Sequence, residues 1–311
     1  MLSSNQPLVS VITPSYNQGQ FLEQTVLSVL NQDYPHIEYL VMDGGSTDNS
    51  LEVIRRYADH LAYWESKPDR GQAHAINKGL KRAKGEIIGW LNSDDVLLTD
   101  TVSRAVATFA EYDAVDVVYG RLVRIDSDGE PVPTPTLPKD RVEFTRHNVI
   151  GECVVNQPGA VWRRRIMKQT GYLNEKLNYA LDYEYWVRMI LAGGKFKKLP
   201  NPVAQFRLSS GSKTVGQTSN MAREHLGVID HFMAQSDMPE KLGMSPEAVR
   251  RQACKGRGIV SLYAFYGCVK EKQWSEALYW FRQAHASDPL VLLDRRWVGL
   301  AWASFFRRIF E

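Results

Sequence analysis

The sequence predicts an α/β fold, in which a Rossmann-like, mostly parallel sheet is flanked by helices and followed by an all-helical C-terminal extension. Three observations predict it. Short β-rich apolar segments alternate with amphipathic segments of helical period over roughly the first third of the chain. An acidic residue follows several of the predicted strands. From about residue 221 the alternation stops and helical patterns remain.

Each element follows from a local pattern of apolar residues. Strands are expected over residues 8–13, 37–42, 61–65, 87–91 and 115–119. Amphipathic helices follow the first four strands, over residues 21–31, 46–58, 72–83 and 100–111. In the middle third we expect a hairpin over 121–136, a strand over 154–162, a helix over 181–191 and strands over 196–199 and 203–208. Helices are then expected over residues 222–233, 246–270 and 273–286.

The predicted fourth strand ends in two adjacent carboxylates. Its apolar run, residues 87–91, is followed directly by NSDD over residues 92–95. Neighbouring carboxylates repel each other, and a hard cation such as Mg²⁺ or Mn²⁺, which commonly carries a diphosphate, relieves the repulsion. The simpler alternative is that the pair caps the next element. Because Asp43 and Asp69 follow earlier strands at the same edge of the sheet, a ligand site is favoured.

Composition narrows the class of protein. The chain has 311 residues, 44% of them hydrophobic and 23% charged, which supports a sizeable core. A net charge of +3 gives no indication of a nucleic-acid partner, and none is expected. Three cysteines without metal-ligand spacing favour a reducing compartment. The sequence shows neither a signal peptide nor the ~18 consecutive apolar residues of a spanning helix, so a cytoplasmic protein is expected, soluble or peripheral to the membrane.

Two domains are expected, an α/β domain over residues 1–220 and a helical extension over residues 221–311. Within the extension, residues 274–289 resemble half of a tetratricopeptide hairpin. The tail, residues 293–310, sets tryptophans and phenylalanines among four arginines. A basic amphipathic helix of this kind can lie on an anionic membrane surface. The alternative is a helix packed on its neighbours with its arginines in solvent, and the sequence leaves both open.

Four motifs occur together in the first third of the chain. They are TPSYN over residues 13–17, DGGSTDNS over 43–50, DRGQAHAINKGLKRAKGE over 69–86 and WLNSDD over 90–95. In this order and spacing the chain resembles the family 2 glycosyltransferases, which are inverting enzymes with the GT-A fold. Segments over residues 156–166, 171–189 and 206–214 resemble the acceptor-side half of that family. The helical extension lies outside the resemblance.

The resemblance implies a metal-dependent hexosyltransferase. It would move a sugar from a nucleotide-sugar, typically a UDP-sugar, to a hydroxyl of a glycan or lipid-linked acceptor in cell-surface polysaccharide synthesis. Its cofactor would be Mn²⁺ or Mg²⁺, held by Asp94. Asp182 would be the catalytic base, and Glu184 and Trp186 would shape the acceptor side. The residues implied for the nucleotide-sugar are Thr13, Pro14, Tyr16, Asn17, Asp43, Asp69, Arg70, Gly71, Asn92 and Ser93.

The chemistry of an inverting transfer agrees with these residue types. One carboxylate must take the proton of the acceptor hydroxyl as it attacks, and a metal neutralises charge on the leaving diphosphate. Asp182 lies in the first turn of a predicted helix, where the helix dipole favours the ionised carboxylate that a base must be. The simpler interpretation is that Asp182 is an ordinary first-turn acid.

Two positions depart from the family pattern. Asn92 replaces the commoner first Asp of the metal motif, which removes one negative charge. Ser209 stands where many relatives carry a His that can reach the metal or the diphosphate. We therefore expect no His ligand.

Three other functions compete with sugar transfer. A nucleotidyltransferase would share the acids at the strand ends, but it should carry a Gly-rich, basic loop after the first strand. A non-catalytic scaffold would use the C-terminal helices to bind partners, and the retention of four acids, including Asp182, argues against it. A dinucleotide-binding oxidoreductase needs G-x-G-x-x-G after the first strand, and that motif is absent.

Overall fold

The computed structural model describes residues 6–133, 142–151, 153–209 and 217–293. The chain divides into two compact units. The first comprises Met1–Thr134 and Val155–Ser209, and the second comprises Pro135–Val154 and Ser210–Glu311. The second unit thus includes a segment from the middle of the chain that the boundary predicted at residue 220 leaves in the first domain.

The first unit is built on one eight-stranded mixed sheet with the order β3-β2-β1-β4-β7-β6-β8-β5. The strands are β1 (Val9–Ser15), β2 (Ile37–Asp43), β3 (Tyr63–Ser66), β4 (Ile87–Trp90), β5 (Val96–Leu97), β6 (Val117–Ile125), β7 (Val161–Arg163) and β8 (Phe196–Arg207). Strands β1 to β4 are mutually parallel, and β7 lies antiparallel to both β4 and β6. The carboxyl ends of β1 to β4 therefore meet at one edge of the sheet.

Six helices flank this sheet in the described part of the first unit. They are α1 (Gly19–Leu30), α2 (Ser50–Arg56), α3 (Gln72–Arg82), α4 (Thr101–Glu111), α5 (Arg164–Thr170) and α6 (Leu181–Leu191). One core cluster joins the apolar side chains of β1, β2 and β4 to those of α1, α2 and α4. All residues of β1 and β4 are buried, as expected for strands covered on both faces.

Helix α3 packs unusually close to the sheet. A methyl group added at Gly79 of α3 would lie 2.5 Å from Ile12 of β1, so only glycine fits there. The helix carries Gln72 at its first position, directly after the β3 loop. Close packing at Gly79 therefore fixes the second half of α3 against β1, and Gln72 lies at the opposite end of the helix.

The middle of the chain differs from the predicted elements in detail. The two strands expected over residues 196–199 and 203–208 form one strand, β8, which continues through Pro200 and Pro202. The pairing of β8 with β6 shifts register near Gly120 and Arg121, and this irregularity accommodates the prolines. Of the hairpin predicted over residues 121–136, the described part contains β6 and a bridge between Ile125 and Pro131, and residues 134–136 lie outside the described residues.

The second unit is helical where it is described after residue 216. Its helices are α7 (Thr218–Met233), α8 (Met238–Leu242), α9 (Pro246–Lys270) and α10 (Trp274–Ser287), followed by a 3₁₀ turn over Pro289–Leu293. Helices α7, α9 and α10 share a core that includes Cys268 and Trp280. Among the described residues, no helix is long and apolar enough to span a membrane. The predicted amphipathic tail lies outside the described residues except for Leu293.

Candidate active site

The loops that follow β1 and β2 are joined by Asn17. We name the loops of the carboxyl edge by their strands: the β1 loop (16–18), the β2 loop (44–49), the β3 loop (67–71) and the β4 loop (91–95). The backbone N–H of Asn17 donates to Ser46 Oγ (2.8 Å), and Asn17 Oδ1 accepts from the N–H of Thr47 (2.8 Å). Asn17 has a φ of 52°, a left-handed conformation that Asn tolerates better than most residues.

Asp43 organises the β2 loop from the end of β2. Its side chain is fully buried. Its Oδ2 accepts hydrogen bonds from the N–H groups of Gly45 (3.1 Å) and Ser46 (2.9 Å) and from the Ser66 hydroxyl (2.6 Å), and its Oδ1 accepts from the Ser46 hydroxyl (2.5 Å). A direct hydrogen bond to a nucleotide base would require this loop to open. That predicted role of Asp43 stays a prediction.

Asp69 lies in the β3 loop, next to the β1 and β2 loops. A Cβ at Gly44 would lie 2.8 Å from Asp69 Oδ2 and 3.3 Å from the ring of Tyr16, so these three residues are neighbours. The Tyr16 side chain is 61% exposed. Asp69 Oδ1 accepts the N–H of Gly71, whose φ of +110° favours glycine. A half-buried carboxylate and an exposed aromatic ring thus lie close together beside Gly44 at the edge.

Two residues predicted for the nucleotide pocket belong to β1 itself. Thr13 is fully buried and its hydroxyl is 2.9 Å from the Tyr39 hydroxyl. Pro14 is buried and aligned with Met42 of β2. Both can therefore shape the edge through the backbone rather than through exposed side chains.

Arg70 is tied to the segment that precedes α6. Its guanidinium forms an ion pair with Glu175, which also accepts a hydrogen bond from Asn77 of α3 (3.1 Å). These hydrogen bonds from Asn77 and Arg70 lower the pKa of Glu175. Arg70 itself is largely exposed, so a bound anion could compete with Glu175 for it.

Asn92 joins the β3 and β4 loops through Gln72. Asn92 Oδ1 accepts a hydrogen bond from Gln72 Nε2 (2.8 Å), and Asn92 Nδ2 donates to Gln157 Oε1 (3.0 Å). Ser93, the next residue, is buried. The β1 and β2 loops are thus joined through Asn17, and the β4 loop is joined through Asn92 to Gln72, the residue that follows the β3 loop.

Asp94 and Asp95 lie beside the buried guanidinium of Arg207. Arg207 has no exposed surface; its Nε donates to the Asp94 carbonyl (3.0 Å) and its backbone N–H to Asp95 Oδ1 (3.2 Å). Burial raises the pKa of Asp94, and the charge of Arg207 offsets this in part. Burial, and then the charge of Asp94, raise the pKa of Asp95 well above its usual range. A cation at Asp94 would stabilise its ionised form.

Asp182 is the second residue of α6, and its Oδ1 accepts the N–H of Tyr183 (2.7 Å). Four residues later, on the same face of the helix, the Trp186 ring stacks on Trp90 with centroids 5.7 Å apart and planes 5° apart. Trp90 ends β4, directly before the β4 loop. The stack therefore joins α6, one turn after Asp182, to the strand that leads into the β4 loop.

The two residues predicted for the acceptor side are both buried. Trp186 has no exposed surface, so it can act on an acceptor only through its neighbours. Glu184 is 7% exposed and pairs with Arg188, which donates to the carbonyls of Thr170 and Tyr172. The Glu184 carboxylate therefore anchors α6 to the segment before it. The acceptor-side roles of both residues stay predictions.

The divalent cation that the resemblance implies fits this edge only if a bound phosphate and water supply oxygen atoms beside the protein's carboxylate. Within the described part of the chain, no three His, Cys, Asp or Glu side chains are arranged to hold a metal. Asn92 Oδ1 is engaged by Gln72, and Asp95 is 1% exposed, so Asp94 is the available carboxylate of the β4 loop. Mg²⁺ and Mn²⁺ sites of one carboxylate completed by phosphate oxygens and water are common. The residues fit a cation of that type.

The model of the family described as glycosyl transferase family 2 matches residues 10–171, which include all four loops of the carboxyl edge. This chain belongs to glycosyl transferase family 2. Among its relatives is a hyaluronan synthase of Pasteurella multocida, 32% identical over 230 residues that cover 73% of this chain and 23% of the synthase. The chain spans 23% to 59% of the length of the curated relatives it matches.

Solved structures confirm the fold predicted for this glycosyltransferase. S. aureus TarS 1–349 in complex with UDP has a TM-score of 0.56 and 19% identity, over 90% of each chain. The mannosyltransferase PcManGT from Pyrobaculum calidifontis, in complex with GDP-Man and Mn²⁺, has a TM-score of 0.65 and 18% identity, over 95% of this chain and 83% of that one. The chain has the GT-A fold with a helical C-terminal region, as expected.

Several residues that shape this site received no role from the sequence alone, although they lie in segments that resemble the family. Arg207, Gln157 and Glu175 come from segments far along the chain, and each contacts one of the loops. Gln157 follows Asn156 in a motif shared with the family, which was the available signal. Nothing in the local sequence around Arg207 indicates that its guanidinium is buried against the β4 loop.

Proposed function

We propose that this chain is an inverting glycosyltransferase that moves a hexose from a nucleoside-diphosphate-sugar to a hydroxyl of a glycan or lipid-linked acceptor. The observation that carries the proposal is the carboxyl edge of β1 to β4. There, loops joined by hydrogen bonds carry Tyr16, Asp69 and Asp94, and the Trp186–Trp90 stack joins α6, which carries Asp182, to the end of β4. An elongated ligand with a base at one end and a diphosphate at the other matches this row of groups.

The base and ribose of the donor are assigned to the β1, β2 and β3 loops. Tyr16 offers an exposed aromatic face for stacking on the base, and Asp69 an acceptor close to it. Arg70 would exchange Glu175 for a diphosphate oxygen, since phosphate is a good bidentate partner of a guanidinium. This order puts the diphosphate toward Asn92, Ser93 and Asp94.

Asp182 is assigned as the catalytic base. It takes the proton of the acceptor hydroxyl while the hydroxyl oxygen bonds to the anomeric carbon and the bond from that carbon to the diphosphate breaks. Its position in the first turn of α6 favours the ionised carboxylate that this step requires. Mn²⁺ or Mg²⁺, when held by Asp94 and the diphosphate oxygens, would neutralise the charge on the leaving diphosphate.

The choice of donor nucleotide and acceptor rests on relatives and structural neighbours that differ in the ligands they bind. TarS was solved with UDP and PcManGT with GDP-Man and Mn²⁺, and the relatives include a hyaluronan synthase. We favour a UDP-sugar donor and a role in cell-surface polysaccharide synthesis. A contact of the tail, residues 293–310, with anionic lipid at the inner face of the membrane stays a prediction. Loss of binding to anionic vesicles on removing residues 293–311, without unfolding, would support it.

Calorimetric titration of the purified chain with UDP, GDP and dTDP, each with and without Mn²⁺, tests the proposal. We expect UDP to bind with a Kd that falls when Mn²⁺ is added. The Asp94→Asn variant should lose the effect of Mn²⁺, because the carboxylate available to the metal is gone. Tight binding of GDP or dTDP instead would change the donor and keep the transferase. No binding of any of the three would favour a scaffold that retained the fold.

A further inference from the structure

Three side-chain amides form one continuous line of hydrogen bonds beside the candidate site. Gln157 Nε2 donates to the carbonyl oxygen of Trp90 (2.8 Å), and Asn92 Nδ2 donates to Gln157 Oε1 (3.0 Å). Gln72 Nε2 then donates to Asn92 Oδ1 (2.8 Å). We call Gln157, Asn92 and Gln72 the amide chain. Gln157, at its inner end, is 8% exposed.

The direction of the amide chain is dictated by the backbone. A carbonyl oxygen can only accept a hydrogen bond, so Gln157 must turn its NH₂ group to Trp90 and its oxygen to Asn92. Asn92 must in turn present its NH₂ group to Gln157 and its oxygen to Gln72. Every amide in the chain therefore has one orientation that satisfies its neighbours.

This direction has a consequence for residue 92. With Gln157 in this orientation, an Asp at position 92 would bring a carboxylate oxygen against Gln157 Oε1, and both atoms only accept. Acceptors without a donor are costly when buried, so Gln157 Oε1 favours an amide at this position, as does Asp95 Oδ2, which lies 3.4 Å from Asn92 Nδ2. The departure from the family's commoner Asp is thus matched by a residue 65 positions along the chain.

The amide chain also links the segment assigned to the base of the donor with the segment assigned to its diphosphate. Gln72 is the first residue of α3 and follows the β3 loop, which carries Asp69. Asn92 belongs to the β4 loop and lies two residues before Asp94. Gln157 fixes Asn92 to the end of β4 through the Trp90 carbonyl. A displacement of Gln157 would therefore be transmitted to both loops.

We propose that Gln157 is a positioning residue of this site: through Asn92 and Gln72 it holds the β3 and β4 loops at the spacing that a nucleoside diphosphate requires, without touching that ligand. The inference rests on the proposed function for its ligand. In this proposal Asn92 links Gln157 to Gln72 through hydrogen bonds, and Asp94 remains the carboxylate for the cation.

The test compares Gln157→Met with Gln32→Met. Methionine keeps the length of glutamine and removes its hydrogen bonds without adding charge. Gln32 is a matched control, since its side chain donates to the carbonyls of Ser28 (2.9 Å) and Leu98 (2.8 Å) and accepts the N–H of Val102 (3.1 Å), all outside the four loops. Should Gln157→Met fail to fold by circular dichroism, Gln72→Met takes its place, since it breaks the amide chain at the half-buried link to Asn92.

Two quantities are measured for each variant: the Kd for UDP with Mn²⁺, and deuterium uptake of the peptides that cover residues 69–76 without nucleotide. We expect Gln157→Met to raise the Kd at least about fivefold and to raise uptake over residues 69–76. Gln32→Met should change neither the Kd nor the uptake over residues 69–76, although it should lower Tm by a similar amount.

Three results would overturn the inference: a wild-type Kd in Gln157→Met, unchanged uptake over residues 69–76, or equal effects from Gln32→Met, which would mean general destabilisation. If the wild-type chain binds no UDP, GDP or dTDP with Mn²⁺, the proposed function fails. Deuterium uptake would then still decide whether Gln157 holds the β3 loop.

Discussion

Asp94 and Asp182 are the two carboxylates on which the proposed transfer depends, and they sit in different environments. Burial raises the pKa of Asp94, which favours a cation as its partner. Asp182 is half-buried in the first turn of α6, where the helix dipole favours a negative charge. The proposed metal ligand and the proposed base thus differ in their surroundings, although both are aspartates.

We predict that Asp182→Asn lowers kcat by at least about 10²-fold, because amide oxygen is a poor proton acceptor in the transfer step. The Kd for the nucleoside diphosphate should stay within about twofold of wild type. Both are measured with the nucleotide that the calorimetric titration selects, transfer being followed by release of the nucleoside diphosphate. Unchanged turnover would remove Asp182 from the role of base.

At the scale of elements, the site depends on how β3, β4, α3 and α6 are held against one another. Glu65 at the end of β3 pairs with Lys78 of α3 (2.9 Å), and it accepts a hydrogen bond from Tyr63 (2.9 Å). Burial opposes ionisation of Glu65, but these two hydrogen bonds outweigh it and lower its pKa below 4.5. The strand and the helix that bracket the β3 loop are therefore joined by a buried ion pair.

We predict that Glu65→Gln lowers the free energy of unfolding by about 1–3 kcal/mol at pH 7. Because the folded pKa of Glu65 is lowered, its contribution is complete above the unfolded value of about 4.5 and is lost as pH falls through the folded value. The difference from wild type in urea titrations should therefore shrink below that pH. The control is Glu52→Gln, which removes an exposed ion pair. Its free energy of unfolding should stay within about 0.5 kcal/mol of the wild-type value at every pH.

The Trp186–Trp90 stack joins α6 to β4 and lies in a larger cluster with Trp162 and Tyr185. We predict that Trp186→Ala lowers the free energy of unfolding by about 3–5 kcal/mol, since it removes a fully buried ring. The matched control is Trp274→Ala, because the ring of Trp274 is 65% exposed. This substitution should change the free energy of unfolding by less than about 0.5 kcal/mol. Equal effects in chemical denaturation would contradict the role of the stack.

At the scale of the whole molecule, the second unit combines the C-terminal helices with a segment from the middle of the chain. Gln252 of α9 accepts the N–H of Ile150 (2.5 Å) and donates to the carbonyl of Arg146 (3.2 Å). A methyl group at Gly256 would lie 2.0 Å from the Cα of Gly151, so backbone packs directly on backbone there. A glycine pair thus sets how closely this segment approaches α9.

We predict that Gly256→Ala lowers the free energy of unfolding by about 1–3 kcal/mol, since the added carbon forces the two backbones apart. Gly227→Ala is the matched control, because it is also helical and has nothing within 4 Å of the added carbon. It should stabilise by up to about 1 kcal/mol through helix propensity. If Gly256→Ala also stabilised the chain, the close approach would be wrong.

Local sequence determined most of the strands and helices at the start of this chain and the edge of the sheet that carries its acidic residues. Hydrophobic periodicity predicted the strands β1 to β4 and the helices between them to within a few residues, since each element's pattern lies within a short window. Because parallel strands end at one edge, the same patterns placed Asp43, Asp69 and Asp94 on one side of the sheet. The family and the fold followed from these motifs and are confirmed.

Tertiary structure alone decided which side chains meet at that edge. Gln157 reaches Asn92 across 65 residues, and Arg207 reaches Asp94 across 113. Tertiary structure also decided that the Ser66 hydroxyl donates to Asp43 and that Arg188, paired with Glu184, donates to the carbonyls of Thr170 and Tyr172. Periodicity reports which face of an element is buried, and it carries no information about the partner across the interface. Hydrogen bonds between distant segments depend on that partner, so only the folded chain defines them.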